Sequence, residues 1–301
     1  MASKIWEFFG FSADDNSSKS LGYRKDQRCP FTEELCEKKF RDGTRTGVCS
    51  LKPMKGDPVI CCPIRLYADD YVILKDVVKR AFGANLPLKR GRDSVDYSLN
   101  NGESCVAVFG KRWGGELRLP QKEGKGAYFV DWVLAHINAY GEVEEFVAVE
   151  VQTIDTTGSY GNGFTKLLNE NEIIKTTAGF NWENVSKRIL PQLIYKGQVL
   201  QREDLCRKGL FFVCPTPVYE RIMSRLGGKN GLLKYQLQPA AITFLSYSHS
   251  KDIHPEHGKT NKLMIDTEHT TTVYKVQEAF NNVTLPDANV FQDAILRAIT
   301  K

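Results

Sequence analysis

The order of apolar runs predicts an α/β or α+β domain with an N-terminal appendage. Three observations carry that expectation. Short strand-like runs cluster between Cys105 and Ile154. Helical periodicity dominates from Phe164 onward, with further strands between the helices. Five of the eight cysteines fall between Cys29 and Cys62, in a stretch with little apolar periodicity. Strands followed by helices suit a layered domain. A charged, cysteine-rich segment with little to bury needs a staple, and a metal is the natural candidate.

The elements follow in order. Residues 17–63 hold turn residues, charges and cysteines. Residues 66–83 predict a helix, because Leu66, Val72, Ile73, Val77, Val78 and Phe82 form one apolar stripe. Residues 85–101 are polar and predict a loop. A short strand is expected at 105–109, and 114–120 alternates until proline stops it. Two more strands are expected at 127–137 and 145–154, apolar around Asp131 in the first and around Glu150 and Gln152 in the second. Helices are expected at 164–174 and 181–200, a buried strand at 210–215, a helix at 217–226 and a strand at 240–247. Residues 249–260 predict a polar loop, 262–267 a strand, and 271–280 and 287–299 helices.

The chain has 301 residues, 42% hydrophobic and 26% charged, enough for a real core. No apolar run approaches the roughly 18 residues a membrane span needs. The first ten residues lack a secretion pattern, so a cytoplasmic location without membrane attachment is expected. Net charge is +5. Residues 17–92 carry 17 Lys and Arg against 9 Asp and Glu, so the basicity sits in the N-terminal quarter. Such a surface attracts a polyanion, or is simply a solvated lysine-rich face.

Cys29-x6-Cys36-x12-Cys49-x12-Cys62 offers four thiolates, which suit a tetrahedral site for zinc or a single iron. Cys61 competes with Cys62 as the fourth ligand. Buried free thiols or disulfides are the alternatives. Cys105, Cys206 and Cys214 lie in apolar surroundings and read as small core residues.

An ionised Asp131 among apolar neighbours is costly unless something pairs with it. On the following strand, alternation puts Ala148, Glu150 and Gln152 on one face and Val147, Val149 and Val151 on the other. Two carboxylates and an amide on neighbouring strands suit magnesium, which takes hard oxygen ligands and leaves room for water and phosphate. The pattern Asp-x18-Glu-x-Gln resembles the nuclease signature Asp…Glu-x-Lys, with Gln in the lysine place. A structural cross-strand pair is the alternative. His249, His254, His257 and His269 read as loop residues rather than a second metal site, and Gly158, Gly161 and Gly163 as a turn.

Longer strings add to this: Glu7-Phe8-Phe9-Gly10, Cys29-Pro30-Phe31, Gly47-Val48-Cys49, Cys62-Pro63-x-Arg65, Gly114-Gly115-Glu116-Leu117, Asp131-Trp132-x-Leu134-Ala135, Glu150-x-Gln152-Thr153-x-Asp155, Gly158-Ser159-Tyr160 and Asn184-Val185-x-Lys187-Arg188. Together, over about residues 5–215, they resemble the NotI family of type II restriction endonucleases. The resemblance implies an α/β chain with a PD-(D/E)XK nuclease core, a mixed central sheet flanked by helices, after a small four-cysteine metal-binding domain. The division expected is residues 1–92 for the metal-binding, DNA-contacting domain and 93–301 for the nuclease domain. It also implies a bacterial homodimer that cuts double-stranded DNA at a GC-only palindrome with a GGCC centre, leaving 5′ overhangs.

Carried over residue by residue, Cys29, Cys36, Cys49 and Cys62 would hold iron, with zinc as the alternative. Asp131, Glu150 and Gln152 would form the catalytic set, with Asp131 and Glu150 on magnesium. Glu116 is a further candidate near the magnesium, or an exposed acid beside a turn. Arg65, Lys187 and Arg188 are the candidate DNA contacts, Lys187 and Arg188 alternatively an exposed cationic face. Guanine is best read by arginine, and Arg41, Arg45, Arg90, Arg92 and Arg202 are further candidates. Two other readings stand beside this one: a non-catalytic DNA-binding protein on a degenerate nuclease fold, and a structure-specific repair nuclease.

Overall fold

A computed structural model of the chain describes residues 2–115, 117, 129–228, 231–250, 256–282 and 287–300. It begins with β1 (Ser3–Phe8), β2 (Phe11–Ser12) and helix α1 (Ser18–Asp26), which Ser17 caps by accepting from the Ser20 amide at 3.2 Å. The cysteine-bearing stretch follows, then β3 (Val48–Pro53) and β4 (Val59–Ile60). These four strands form an antiparallel sheet in the order β2-β1-β3-β4. A 3₁₀ turn, Pro63–Tyr67, leads into α2 (Ala68–Phe82), whose apolar stripe buries Ile73, Leu74, Val77, Val78 and Ala81. Gly83 ends that helix in the left-handed region, where a side chain is disfavoured.

The main sheet takes β5 (Leu88–Arg90), then, after helix α3 (Asp93–Asn101), β6 (Cys105–Gly110), β7 (Trp132–Ile137) and β8 (Val143–Val151). A small ribbon of β9 (Thr156–Thr157) and β10 (Gly179–Phe180) brackets helix α4 (Gly161–Glu170). A π-helical turn, Val185–Ile189, runs straight into α5 (Leu190–Leu200). The chain ends with β11 (Leu210–Pro215), α6 (Thr216–Arg225), β12 (Ala241–His249), β13 (Leu263–Thr272), α7 (Val273–Asn281) and α8 (Val290–Ile299). Seven strands pair in the order β13-β12-β11-β8-β7-β6-β5. The β12-β11-β8 run and the β5-β6 pair are parallel and the other pairs antiparallel, so the sheet is mixed.

Helices cover both faces of this sheet, as an α/β layering requires. On one face α2 packs Ile73 and Val77 against Val147, Val149 and Val151 of β8. On the other, Leu190, Leu193 and Ile194 of α5, Val218 of α6 and Val273 of α7 share a core with Ala148, Phe212 and Ile242. The alternation expected along β8 is therefore the alternation observed. The N-terminal sheet joins the second core through Ile5, Phe8 and Val48, and Ser3 exchanges backbone hydrogen bonds with Thr176. The boundary expected at residue 92 falls between β5 and β6, two paired strands of one sheet. Cys105, Cys206 and Cys214 are buried, as small core residues should be.

One expectation needs correction here. Residues 85–101 are not loop: they hold β5 and α3. The inner face of α3 is made by Ser94 and Ser98, which are buried although polar, so no apolar period marked it. Most of the strand expected at 114–120 lies outside the described residues.

Candidate active site and metal centre

The antiparallel register of β7 and β8 sets Trp132 opposite Val149. Asp131, one residue before β7, therefore comes beside Glu150, and its Oδ2 accepts from the Val151 amide at 2.8 Å. Asp131 lies at the exposed end of the strand, whereas Glu150 is 9% exposed. Gln152 continues β8 past its last paired residue, its amide donating to Val213 O at 2.9 Å. Its side-chain Nε2 donates to Thr153 O, also at 2.9 Å. The sheet thus brings together the three residues of the nuclease-like pattern at the ends of adjacent strands.

Lys196 joins them from α5. Its Nζ donates to Glu150 Oε1 at 2.5 Å, with 20% of the lysine side chain exposed. Sequence reasoning placed 196 inside a helix but saw no role for it, since only the packing of α5 across the sheet brings it to β8. Glu150 Oε2 is buried with no hydrogen-bond partner among the described residues. Burial pushes the Glu150 carboxyl up to about 7, and the charge of Asp131 adds to this against the opposing pull of Lys196. A carboxylate so placed is short of positive charge. An unpartnered buried oxygen next to a second carboxylate fits a hard divalent cation.

The cysteines also converge. Cys29, Cys36, Cys49 and Cys62 line one cavity of about 10 Å³, together with Phe9, Pro30 and Gly47. That is room for one atom-sized guest. Cys61 faces elsewhere: its Sγ lies 3.4 Å from Lys38 Nζ and 3.6 Å from Cys49 O. Burial raises the Cys49 thiol well above its ordinary range, and the other cysteines raise it further. Burial likewise pushes Cys62 up to about 12, against the pull of Lys38. Four sulfurs around one small cavity, three of them on buried cysteines and Cys36 half-buried, fit a thiolate-held ion, whose charge would offset both burial and mutual repulsion. With the side chains as placed, no three His, Cys, Asp or Glu of the described residues are already arranged to hold an ion. Cys36 and Cys49 turn their sulfurs toward the Lys38 and Gly47 carbonyls instead.

Two glycines keep this lobe closed. A Cβ on Gly10 would lie 2.3 Å from Pro30 Cγ, and one on Gly47 would lie 2.2 Å from Phe9 Cε2. Both have positive φ, so both positions favour glycine.

Of the expected DNA contacts, Lys187 and Arg188 lie on the π-helical turn, with side chains 71% and 52% exposed. Lys187 pairs with Glu183 at 2.5 Å, and Arg188 with Asp155 at 3.2 Å. Lys187 shares a groove with Arg221 and Arg225. Arg41, Arg90, Arg92 and Arg202 are exposed, whereas Arg45 is tied to the Cys36 carbonyl.

Arg65 is a correction. It is fully buried, bound through Nε to Glu7 Oε1 at 2.9 Å, and stacked over Phe31 at 4.9 Å. An arginine without exposed surface cannot reach a phosphate or a base. Glu116 and His254 lie outside the described residues. The other three C-terminal histidines are not simple loop residues. His249 Nε2 lies 2.9 Å from Glu7 Oε2, His257 Nδ1 3.4 Å from Asp15 Oδ1, and His269 on β13 meets the Tyr219 hydroxyl at 3.0 Å.

No helix among the described residues is long and apolar enough to cross a membrane. No curated protein matches the chain. The family model described as restriction endonuclease NotI matches residues 20–220, more than half of the chain. That span takes in the four cysteines of the cavity, the strand ends with Asp131 and Glu150, Lys196 and the exposed pair Lys187 and Arg188. The chain belongs to the NotI restriction endonuclease family, a family of site-specific deoxyribonucleases.

Proposed function

We propose that this chain is a magnesium-dependent type II restriction endonuclease with a PD-(D/E)XK core. It acts as a homodimer on double-stranded DNA, at a GC-rich palindrome with a GGCC centre, and leaves 5′ overhangs. A two-fold symmetric target calls for a two-fold symmetric enzyme. The observation that carries this reading is the meeting of Asp131 and Glu150 at adjacent strand ends, with Glu150 Oε2 buried and without a partner among the described residues.

Asp131 and Glu150 would hold the magnesium, which when bound offsets phosphate charge and makes a water more acidic. Gln152 is a neutral amide and takes up no proton at neutral pH. Its part is to orient, either the attacking water or a phosphate oxygen. Lys187 and Arg188 would clamp the DNA backbone, where a cation positions the duplex without reading its sequence. The basic segment 17–92 would steer DNA toward the site. Cys29, Cys36, Cys49 and Cys62 would hold one iron, or alternatively zinc, and shape that segment. Glu116 remains a candidate beside the magnesium.

The test is digestion of a sequenced plasmid with Mg2+, in parallel with Asp131→Ala and Glu150→Ala. Discrete bands from the unaltered chain and none from either variant are expected, while both variants still bind the site in Ca2+. A smear would mean a nonspecific nuclease. Cutting confined to branched or mismatched DNA would mean a repair enzyme, and no cutting a DNA-binding protein. Robust Mg2+-dependent cutting by either variant would show that the active site lies elsewhere.

A further inference from the structure

The strand that carries Glu150 offers no cation. Two residues on, where the nuclease signature has lysine, stands Gln152. The cation comes from α5 instead. Leu190, Leu193 and Ile194 seat this helix on the sheet. At Gly197 it comes so close to α7 that an added Cβ would lie 2.9 Å from Val273 Cγ2. The neighbouring Lys196 reaches the end of β8, where its Nζ meets Glu150 Oε1 at 2.5 Å.

We infer that Lys196 is a catalytic residue that takes the place of the missing strand lysine, its ammonium holding an oxygen of the scissile phosphate beside Glu150. This rests on the active-site reading given above.

An ammonium has three donors, and the contact with Glu150 uses one. Among the described residues no other contact of Lys196 Nζ takes up the remaining two, which can meet an oxygen arriving next to that carboxylate. A purely structural ion pair accounts for this geometry less well. Nearly buried pairs add little net stability, and this one leaves Glu150 Oε2 without a partner among the described residues. Lys196 is also held by a packed helix rather than a loop, so its charge is aimed before substrate arrives, the condition under which a fixed donor accelerates a reaction. In the cut, one water adds across one P–O bond. Its oxygen bonds to phosphorus and it gives a proton to solvent, while the ester bond breaks and the leaving oxygen takes a proton from solvent. Lys196 exchanges no proton. It holds phosphate charge while Gln152 orients.

The experiment is single-turnover cleavage of a duplex carrying the site, in Mg2+, with a binding titration in Ca2+ beside it. The variants are Lys196→Met, Lys196→Gln, Lys196→Arg and the double Lys196→Met/Gln152→Lys, with Glu150→Ala as control. Lys196→Met should cut on the order of 100-fold more slowly, the loss typical of one aimed donor, with binding nearly unchanged. Lys196→Arg should retain part of the rate. The double variant should recover about 10-fold over Lys196→Met, because the charge returns from the strand; a merely structural lysine would not be replaced this way. Should Lys196→Met fail to fold, Lys196→Gln, which keeps a polar end, is read in its place. Cutting within about threefold of the unaltered enzyme by a folded Lys196→Met or Lys196→Gln overturns the inference, as does a double variant no faster than the single. If Glu150→Ala itself cuts, the active-site reading fails. If Glu150→Ala is dead and Lys196→Met cuts normally, only the role of Lys196 fails.

Discussion

Arg65 donates from Nε to Oε1 of Glu7 at 2.9 Å, and neither side chain exposes any surface. The same carboxylate accepts from Ser50 Oγ at 2.9 Å and Asn261 Nδ2 at 3.1 Å, and faces His249 Nε2 at 2.9 Å. One buried acid on β1 therefore ties together β3, the turn before α2, the end of β12 and the segment before β13. Burial alone would push the Glu7 carboxyl up; Arg65, His249 and Asn261 together overcome this and hold it at about 2.

Glu7→Gln should be strongly destabilising, by ~3–5 kcal/mol, because it leaves the Arg65 charge buried and unpaired. The effect should depend on pH. A carboxyl held below its ordinary 4.5 contributes stability that is fully present above 4.5 and lost as pH falls through about 2. The gap in urea-unfolding stability between the two proteins should therefore narrow as pH falls below about 4.5. A gap of the same size at pH 3 and pH 7 would contradict this account of Glu7.

This cluster also shows where sequence reading ran out. Glu7 and Arg65 both stood in strings of the family pattern, yet nothing local separates an arginine that meets an acid 58 residues away from one that meets DNA. Lys196 was missed for the same reason, since its partner is 46 residues back on another element. What was legible was periodic or short-range. The alternation around Ala148 and Glu150 located β8 and its faces. The spacing of the cysteines pointed to Cys29, Cys36 and Cys49 and left Cys61 and Cys62 open; Cys62, which the family resemblance implied, is the one that lines the cavity with the other three. Helix α3 was hidden because serines, not aliphatics, make its inner face.

The two adjacent cysteines should behave differently. Cys62 lines the shared cavity, while Cys61 lies against Lys38 and the backbone. Cys62→Ser should lose the bound ion, read as iron or zinc per chain by elemental analysis, and should lower Tm. Cys61→Ser should keep about one ion per chain. Equal metal loss in both variants would reassign the fourth ligand.

Glu150→Gln should make the metal-free protein more stable at neutral and higher pH. Burial and Asp131 raise this carboxyl from 4.5 to about 7, so the folded chain holds its proton longer than the unfolded one. The cost of ionising it in the folded state is absent below 4.5 and complete above about 7. In EDTA the variant should match the unaltered protein in Tm at pH 4 and exceed it at pH 8. A lower Tm at pH 8 would mean that the pair with Lys196 outweighs the burial cost.

Lys187 and Arg188 present charge on one exposed turn, each already beside an acid, Glu183 and Asp155. Surface pairs of this kind add little stability, so removing either cation should leave Tm nearly unchanged. DNA binding should respond instead. Each alanine substitution should reduce the slope of log affinity against log salt by about one unit, the loss of one phosphate contact. An unchanged slope would remove that residue from the interface.

Gly197→Ala tests whether the approach of α5 sets the geometry of the site. Alanine is the better helix former by about 1 kcal/mol, and on propensity alone the change should stabilise the protein. The added Cβ, however, would lie 2.9 Å from Val273 Cγ2, 3.2 Å from Val273 Cβ and 3.4 Å from Ile242 Cδ1. Val273 and Ile242 are fully buried, so neither has space to yield. Overpacking of this kind costs about 1–3 kcal/mol, which outweighs the propensity gain and pushes α5 away from α7. Lys196 moves with the helix, so the cutting rate should fall further than the loss of folded protein accounts for. Trimming the obstacle, as Gly197→Ala/Val273→Ala, should let the helix settle again and recover cutting, although the smaller core residue lowers stability. A single variant that is more stable and cuts at full rate would show that the helix tolerates displacement and that the close contact at Gly197 does not place Lys196.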